Sequence, residues 1–269
     1  MSIQFSEDSP IKALLDALQS SRAQSLFERV EELRGRIVRM AGLMLVFLCV
    51  GFYFSKDIIN VLKQPLADAL PHQKNVLHFT GPLEVMLSYM KVSFLVAAVL
   101  VAPYALYQLW RYVGPALPPA QKKMVVPFFL ASVVLFALGG AFGYFLMLPM
   151  GLKWLLGFGA SQATPVITVQ EYVDLVTLML LAFGVTFQLP LVMILLERLG
   201  LIQEKTLTKN RGIVVVAILI LAAVASPSPD PVSMMVLAVP LYVLFEGGVL
   251  VIRWMKKKET LPVASSPGP

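Results

Sequence analysis

An all-α, membrane-spanning bundle is the fold class this sequence predicts, and three observations carry it. Residues of hydrophobic type make up 58% of the chain and charged ones only 14%, against about 25% charged in an ordinary soluble domain. The apolar residues gather into six long runs separated by polar, proline-rich or basic connections. The cations are distributed unevenly between alternate connections, as in polytopic proteins.

The chain opens on a polar segment. Residues 1–28 form a domain of their own, an amphipathic arm in which Ile11, Leu14, Leu15 and Leu18 recur at helical spacing. No apolar core precedes a small-residue cleavage site there, so the first apolar run is expected to act as an uncleaved insertion signal. The six-span domain occupies 29–254. It begins with Arg29-Val30-Glu31-Glu32-Leu33-Arg34-Gly35-Arg36, directly before the first run at 37–54. Glu32 and Arg36 are four apart and Glu31 and Arg34 three apart, so intrahelical ion pairs are one reading of that stretch. Cys49, the single cysteine, lies in the first run and is expected to be a small buried side chain; no disulfide within the chain and no cysteine metal cluster can form.

A polar connection at 55–82 follows. Its first half has helical spacing broken by Pro65; its second half, with His72 and His78, reads as loop. The second span covers 83–109, and a short basic turn carries Arg111, Gln121, Lys122 and Lys123. The third covers 124–148 and is expected to close at Pro149. The fourth covers 169–199 with Gln188-Leu189-Pro190 inside it. The fifth, at 212–225, would reach only roughly 21 Å of a ~30 Å hydrocarbon layer. The sixth covers 232–252, followed by a tail at 255–269, basic and then rich in Pro and Ser. Six spans leave both termini on one side. That side holds 17 of the 22 cations and the other side four, with Lys91 inside a span. Both termini are therefore expected in the cytoplasm, and the net charge of +6 is read as a membrane-orientation signal, with no nucleic-acid partner.

No phosphate-cradling glycine loop and no His-Glu-x-x-His zinc motif occurs, and no nucleophile is paired with a histidine inside a span. The chain reads as a non-enzyme without cofactor or metal. Polar groups inside spans are costly and need a reason. Lys91 either snorkels outward or pairs with Glu84, seven residues earlier; Glu84 itself lies at the rim. Pro190 removes a backbone hydrogen bond, so Gln188 and Thr186 either satisfy a kinked helix or form, with Pro190, a polar seat for another helix in the bilayer. Glu246 is expected to pair with Arg253. Asp230 is placed to cap the sixth helix.

Taken in order, these pieces resemble the TatC subunit of the twin-arginine protein translocase. The charged octet fits that family's opening motif. Further matches are Pro65-Leu66, Pro82-Leu83-Glu84, Ala102-Pro103, Tyr107-Gln108-Leu109-Trp110, Pro115-Ala116-Leu117, Gly143-Tyr144-Phe145, the run from Phe183 to Pro190, the run from Ser226 to Asp230, and Phe245-Glu246. The resemblance implies a six-span protein of the inner membrane with short fifth and sixth spans. It implies a receptor and scaffold that exports folded proteins on the proton motive force. Its partners would be twin-arginine signal peptides, single-span TatA/TatB-type subunits and further copies of itself. Signal-peptide binding would fall on Glu32, with Glu31 and Arg34 beside it, and on Gln121, which stands where the family has a glutamate. Gln188 would contact the single-span subunits. The alternative is a secondary transporter or ion channel with Lys91, Gln188 and Glu246 along one internal polar path.

Overall fold

The structure, a computed structural model, describes residues 31, 34–69, 77–117, 119–159, 166–202, 208–225 and 231–259. The N-terminal arm, Glu32, Asp230 and the end of the tail lie outside the described residues, as does the side chain of Gln121. Among the described residues the chain is helical throughout, with no named strand and one isolated parallel bridge, His78 to Thr168.

The helices are α1 (Arg34–Tyr53), α2 (Ser55–Leu62), α3 (Gln64–Ala69), α4 (Pro82–Val113), α5 (Val125–Phe142), α6 (Leu148–Gly159), α7 (Val169–Thr186), α8 (Leu189–Arg198), α9 (Arg211–Ala225) and α10 (Pro231–Glu259). Among the described residues five stretches are long and apolar enough to cross a membrane: α1, α4, α5 with α6, α7 with α8, and most of α10. Helix α9, at 15 residues, is the short fifth helix expected. The sixth is not short: α10 runs for 29 residues, because good helix formers continue past the apolar part through Lys256 and the helix does not stop until Glu259.

Proline placement explains most boundaries. Lys63 makes a turn between α2 and α3, so Pro65 sits in the first turn of α3, where its missing N–H costs nothing. Pro149 does not close the third helix. Gly143–Met147 form a π turn in which the Leu148 N–H bonds to the Gly143 carbonyl. The wide turn changes the hydrogen-bond register just ahead of the proline, and the helix continues to Gly159. In the fourth, Phe187 and Gln188 form a turn, and Pro190 falls at the start of α8.

Helix α7 is central, packing against α4 and α5, while its continuation α8 packs against α10. In lipid, helices associate through close packing and interhelical hydrogen bonds. The α5–α7 seam shows the first. A Cβ on Gly139 would lie 2.5 Å from the Phe183 carbonyl oxygen, and one on Gly143 2.9 Å from that of Met179. Helix α1 is peripheral. Cys49 on it is exposed, contrary to expectation, because among the described residues none packs over that face of α1.

The end of the bundle carrying Pro82 is held by hydrogen bonds. Glu84, expected at a wet rim, is 8% exposed. Its carboxylate accepts from the Thr80 N–H at 2.6 Å, the Thr80 hydroxyl at 2.7 Å and the Gln170 N–H at 3.2 Å. It thereby serves the starts of α4 and α7 together. Tyr144 and Tyr172 donate to the Val61 and Leu62 carbonyls at the end of α2.

Two outcomes follow for thermal unfolding in detergent. Gly139→Leu should cost about 1–3 kcal/mol by overpacking, whereas Gly140→Leu, with open space around it, should be tolerated. Tyr172→Phe should cost about 1 kcal/mol for one neutral hydrogen bond, and Glu84→Ala should lower the midpoint further than Tyr172→Phe.

Candidate functional site

The charged octet leads into α1. Glu31 and Arg34 are exposed; Arg36 is only 5% exposed. Its guanidinium donates to the Gln108 carbonyl oxygen at 3.0 Å and stands 5.8 Å over the Tyr112 ring. That contact sets the beginning of α1 beside the end of α4. From there the chain enters two 3₁₀ turns, Gly114–Ala116 and Pro119–Met124. The second contains Gln121 with exposed Lys122 and Lys123. Below them Trp110 donates to the buried Ser132 hydroxyl at 2.7 Å, fixing α4 to α5. The start of α1, with exposed Glu31 and Arg34, and the turn of Gln121 therefore share one end of the bundle. The intrahelical reading of Arg36 is incomplete, because its guanidinium reaches another helix.

At mid-depth the three expected seat residues diverge. The Gln188 amide donates to the Ser132 carbonyl at 3.0 Å, facing α5. Pro190 faces α10, where a Cβ on Gly248 would come within 3.2 Å of its Cα. Thr186 lines a groove of about 680 Å³ bounded also by Lys91, Phe94, Asp174, Leu221, Leu237 and Leu241. This groove is mostly apolar and is walled by α4, α7, α9 and α10. Gln188 thus bonds across to α5 and leaves the interrupted helix's own carbonyls untouched by its side chain, and Thr186 alone of the three faces the groove.

The remaining polar residues find partners the sequence reading missed. Lys91 pairs with Asp174 at 2.6 Å, not with Glu84, whose oxygens are taken by Thr80 and Gln170. The pair is half exposed to the groove, so its worth to stability is modest. Asp174 went unremarked; the signal was an acid and a base within the first three turns of two helices that start at the same end. Glu246 pairs with Arg211 on α9 at 3.2 Å and accepts from the Tyr242 hydroxyl at 2.9 Å. The expected partner, Arg253, loses to a cation delivered by the neighbouring helix. Lys256 reaches Glu197 at 2.9 Å, joining the ends of α8 and α10. Pro65 is buried beside Leu66 where α3 meets α6. Lys91, Gln188 and Glu246 do not share a polar path: the first lines the groove, the second faces α5 and the third is engaged by Arg211 and Tyr242. The transporter alternative is not favoured. Among the described residues no cluster of His, Cys, Asp or Glu is arranged to hold a metal ion.

Comparison with known proteins gives one consistent result. Residues 28–240 match the family described as Sec-independent protein translocase protein (TatC). The TatC protein of Aquifex aeolicus is 33% identical over 239 residues, covering 87% of this chain and 98% of its own length. That of Escherichia coli K12 is 32% identical over 232 residues, covering 86% and 89%. A crystal structure of the twin-arginine translocase receptor TatC in the detergent DDM superposes with a TM-score of 0.75 at 33% identity. It spans 82% of this chain and 98% of the crystallised one. With the bundle, the paired turns at its cation-rich end and the interrupted fourth helix in the same order along the chain, this protein belongs to the TatC family, the multi-helix membrane component of the Sec-independent, twin-arginine protein translocase.

Proposed function

We propose that this chain receives twin-arginine signal peptides at its cation-rich end and scaffolds the single-span TatA/TatB-type subunits. It would lie in the inner membrane with that end and both termini in the cytoplasm, driven by the proton motive force with no nucleotide site of its own. The observation that carries the reading is the juxtaposition of two segments. Arg36, at the start of α1, is hydrogen-bonded to Gln108, near the end of α4. Glu31 and Arg34, just before Arg36 in the chain, therefore share an end of the bundle with the turn that contains Gln121. A carboxylate held there can take a guanidinium in a charge-assisted, bidentate contact, which a lysine ammonium cannot reproduce. Glu32 is the proposed acceptor. Gln121 offers an acceptor oxygen without charge, and Glu31 and Arg34 flank the site. The orientation rests on the cation bias of the alternate connections.

The groove between α4, α7, α9 and α10 is the proposed seat for a partner helix. Its apolar walls suit a span, and Thr186 with the Lys91–Asp174 pair supplies polar contacts at depth. Further copies of the chain are expected in the assembled complex.

Purified protein titrated with a twin-arginine signal peptide tests the recognition site. Glu32→Ala should weaken binding about tenfold or more, the worth of a hydrogen-bonded charge. An Arg-Arg to Lys-Lys peptide should lose a similar factor on the wild type and little more on the variant. Equal binding by all combinations would sink the assignment. Gln121→Glu should tighten binding.

Photo-crosslinkers test the seat. One at Thr186 should capture a single-span subunit, and one at Gln188 should capture it poorly. The reverse pattern would move the seat to the α5 side.

A further inference from the structure

Helix α1 is one of the two least embedded spans, level with the span that begins at Lys122. Its most apolar stretch is 11% buried. Among its 20 residues only two are buried, Arg36 and Gly51, one near each end. Gly51 is buried by backbone contact: a Cβ there would lie 2.9 Å from the Ser93 carbonyl oxygen. Arg36 is thus the one substantial side chain of α1 that is buried, and it is a cation. Burying a guanidinium is costly unless its N–H groups are satisfied. Here the Gln108 carbonyl, 72 residues away, accepts one of them, and the Tyr112 ring face offers a second stabilising contact. An aliphatic residue would serve better if α1 needed only lipid contact. A planar fork that must meet a carbonyl and a ring at once has one orientation of α1 about its axis. Arg34 lies within one turn of that fork on the same helix.

We propose that Arg36 is a positioning residue for signal-peptide recognition. It fixes the rotation and height of the start of α1 against the end of α4, so that the chain entering α1 at Glu31 and Arg34 is held at a set place relative to the turn of Gln121. It touches no part of the peptide. This inference rests on the recognition reading above. It predicts that discrimination between arginine and lysine pairs depends on a side chain that carries the same charge as the ligand.

The test uses the full chain in detergent or nanodiscs, with four variants: Glu32→Ala, Arg36→Ala, Arg36→Lys and Tyr112→Leu. Each is titrated with the Arg-Arg and the Lys-Lys peptide. Wild type should prefer Arg-Arg. Arg36→Ala should reduce that preference at least fivefold by weakening the Arg-Arg peptide. Arg36→Lys should recover only part of it, since an ammonium lacks the fork, and Tyr112→Leu should reduce it less than Arg36→Ala. A second readout separates positioning from general stability. Spin labels at Glu31→Cys and Lys122→Cys, in a Cys49→Ser background, should give a narrow distance distribution that broadens with Arg36→Ala. Should Arg36→Ala not fold, Arg36→Lys and Tyr112→Leu carry the same comparison. Unchanged preference and unchanged distances in folded Arg36 and Tyr112 variants would overturn the proposal. If Glu32→Ala leaves the preference intact, the recognition reading fails first. If Glu32→Ala abolishes it while the Arg36 and Tyr112 variants do not, only the positioning role fails.

Discussion

The carboxylate of Glu84 holds two helix starts at once, and the order of the bundle depends on it. Helix α4 begins at Pro82 and α7 at Val169, and both leave N–H groups unpaired in their first turns. A single buried carboxylate accepts from Thr80 on one side and Gln170 on the other. Both helix dipoles point their positive ends at it. The two helices are thereby made parallel and level, and the His78–Thr168 bridge adds a backbone link between the same segments. With that level set, Lys91 and Asp174 come within 2.6 Å. The groove that holds them takes its shape from α4 and α7 standing side by side.

Lipid removes the usual driving force for such an arrangement. Apolar side chains gain little by leaving acyl chains for one another, so association rests on close fit and on polar bonds. The fit is concentrated between α5 and α7, where Gly139 and Gly143 admit the carbonyls of Phe183 and Met179. The polar bonds are concentrated near the ends: Glu84 at one end, and at the other Arg36 to Gln108, Arg211 to Glu246 and Lys256 to Glu197. Between them lies Ser132, whose hydroxyl accepts from Trp110 and whose carbonyl accepts from Gln188. One small residue on α5 therefore joins α4 to the turn between α7 and α8.

The helices were readable because apolar run length and proline position act locally. Composition and run length led directly to α1, α4 and α7, and Pro65 marked the α2–α3 break. Pro149 misled because a π turn two residues earlier changes the local hydrogen bonding, and no sequence period reports that. Partners of the buried polar groups were less readable. Lys91 to Glu84 and Glu246 to Arg253 are pairings along one helix, seven residues apart. The structure pairs both residues across helices, because tertiary neighbours bring a charged tip closer than seven residues of the same helix can. Cys49 misled for a related reason: an apolar run says that a helix is in the membrane, not which face meets protein. Only the family resemblance singled out the octet as the proposed recognition stretch. Physical pattern alone made Arg36 one half of an intrahelical pair.

The same reasoning bears on how a cation-rich surface can receive two arginines. Exposed Arg34, Arg39, Arg111, Lys122 and Lys123 share the end at which Glu31 stands. Their long-range field repels a basic peptide, but at physiological salt it decays within ~8 Å. A carboxylate in bidentate contact acts at hydrogen-bond distance, where screening is weak and geometry decides. Recognition under those conditions is governed by placement more than by net charge. In the proposed reading, an amide at position 121 leaves charged acceptance to Glu31 and Glu32, so the placement of that segment would matter more than where two fixed carboxylates face the ligand. The proposed positioning by Arg36 fits that demand: its buried guanidinium engages the Gln108 carbonyl and the Tyr112 ring, contacts that tie the start of α1 to the end of α4.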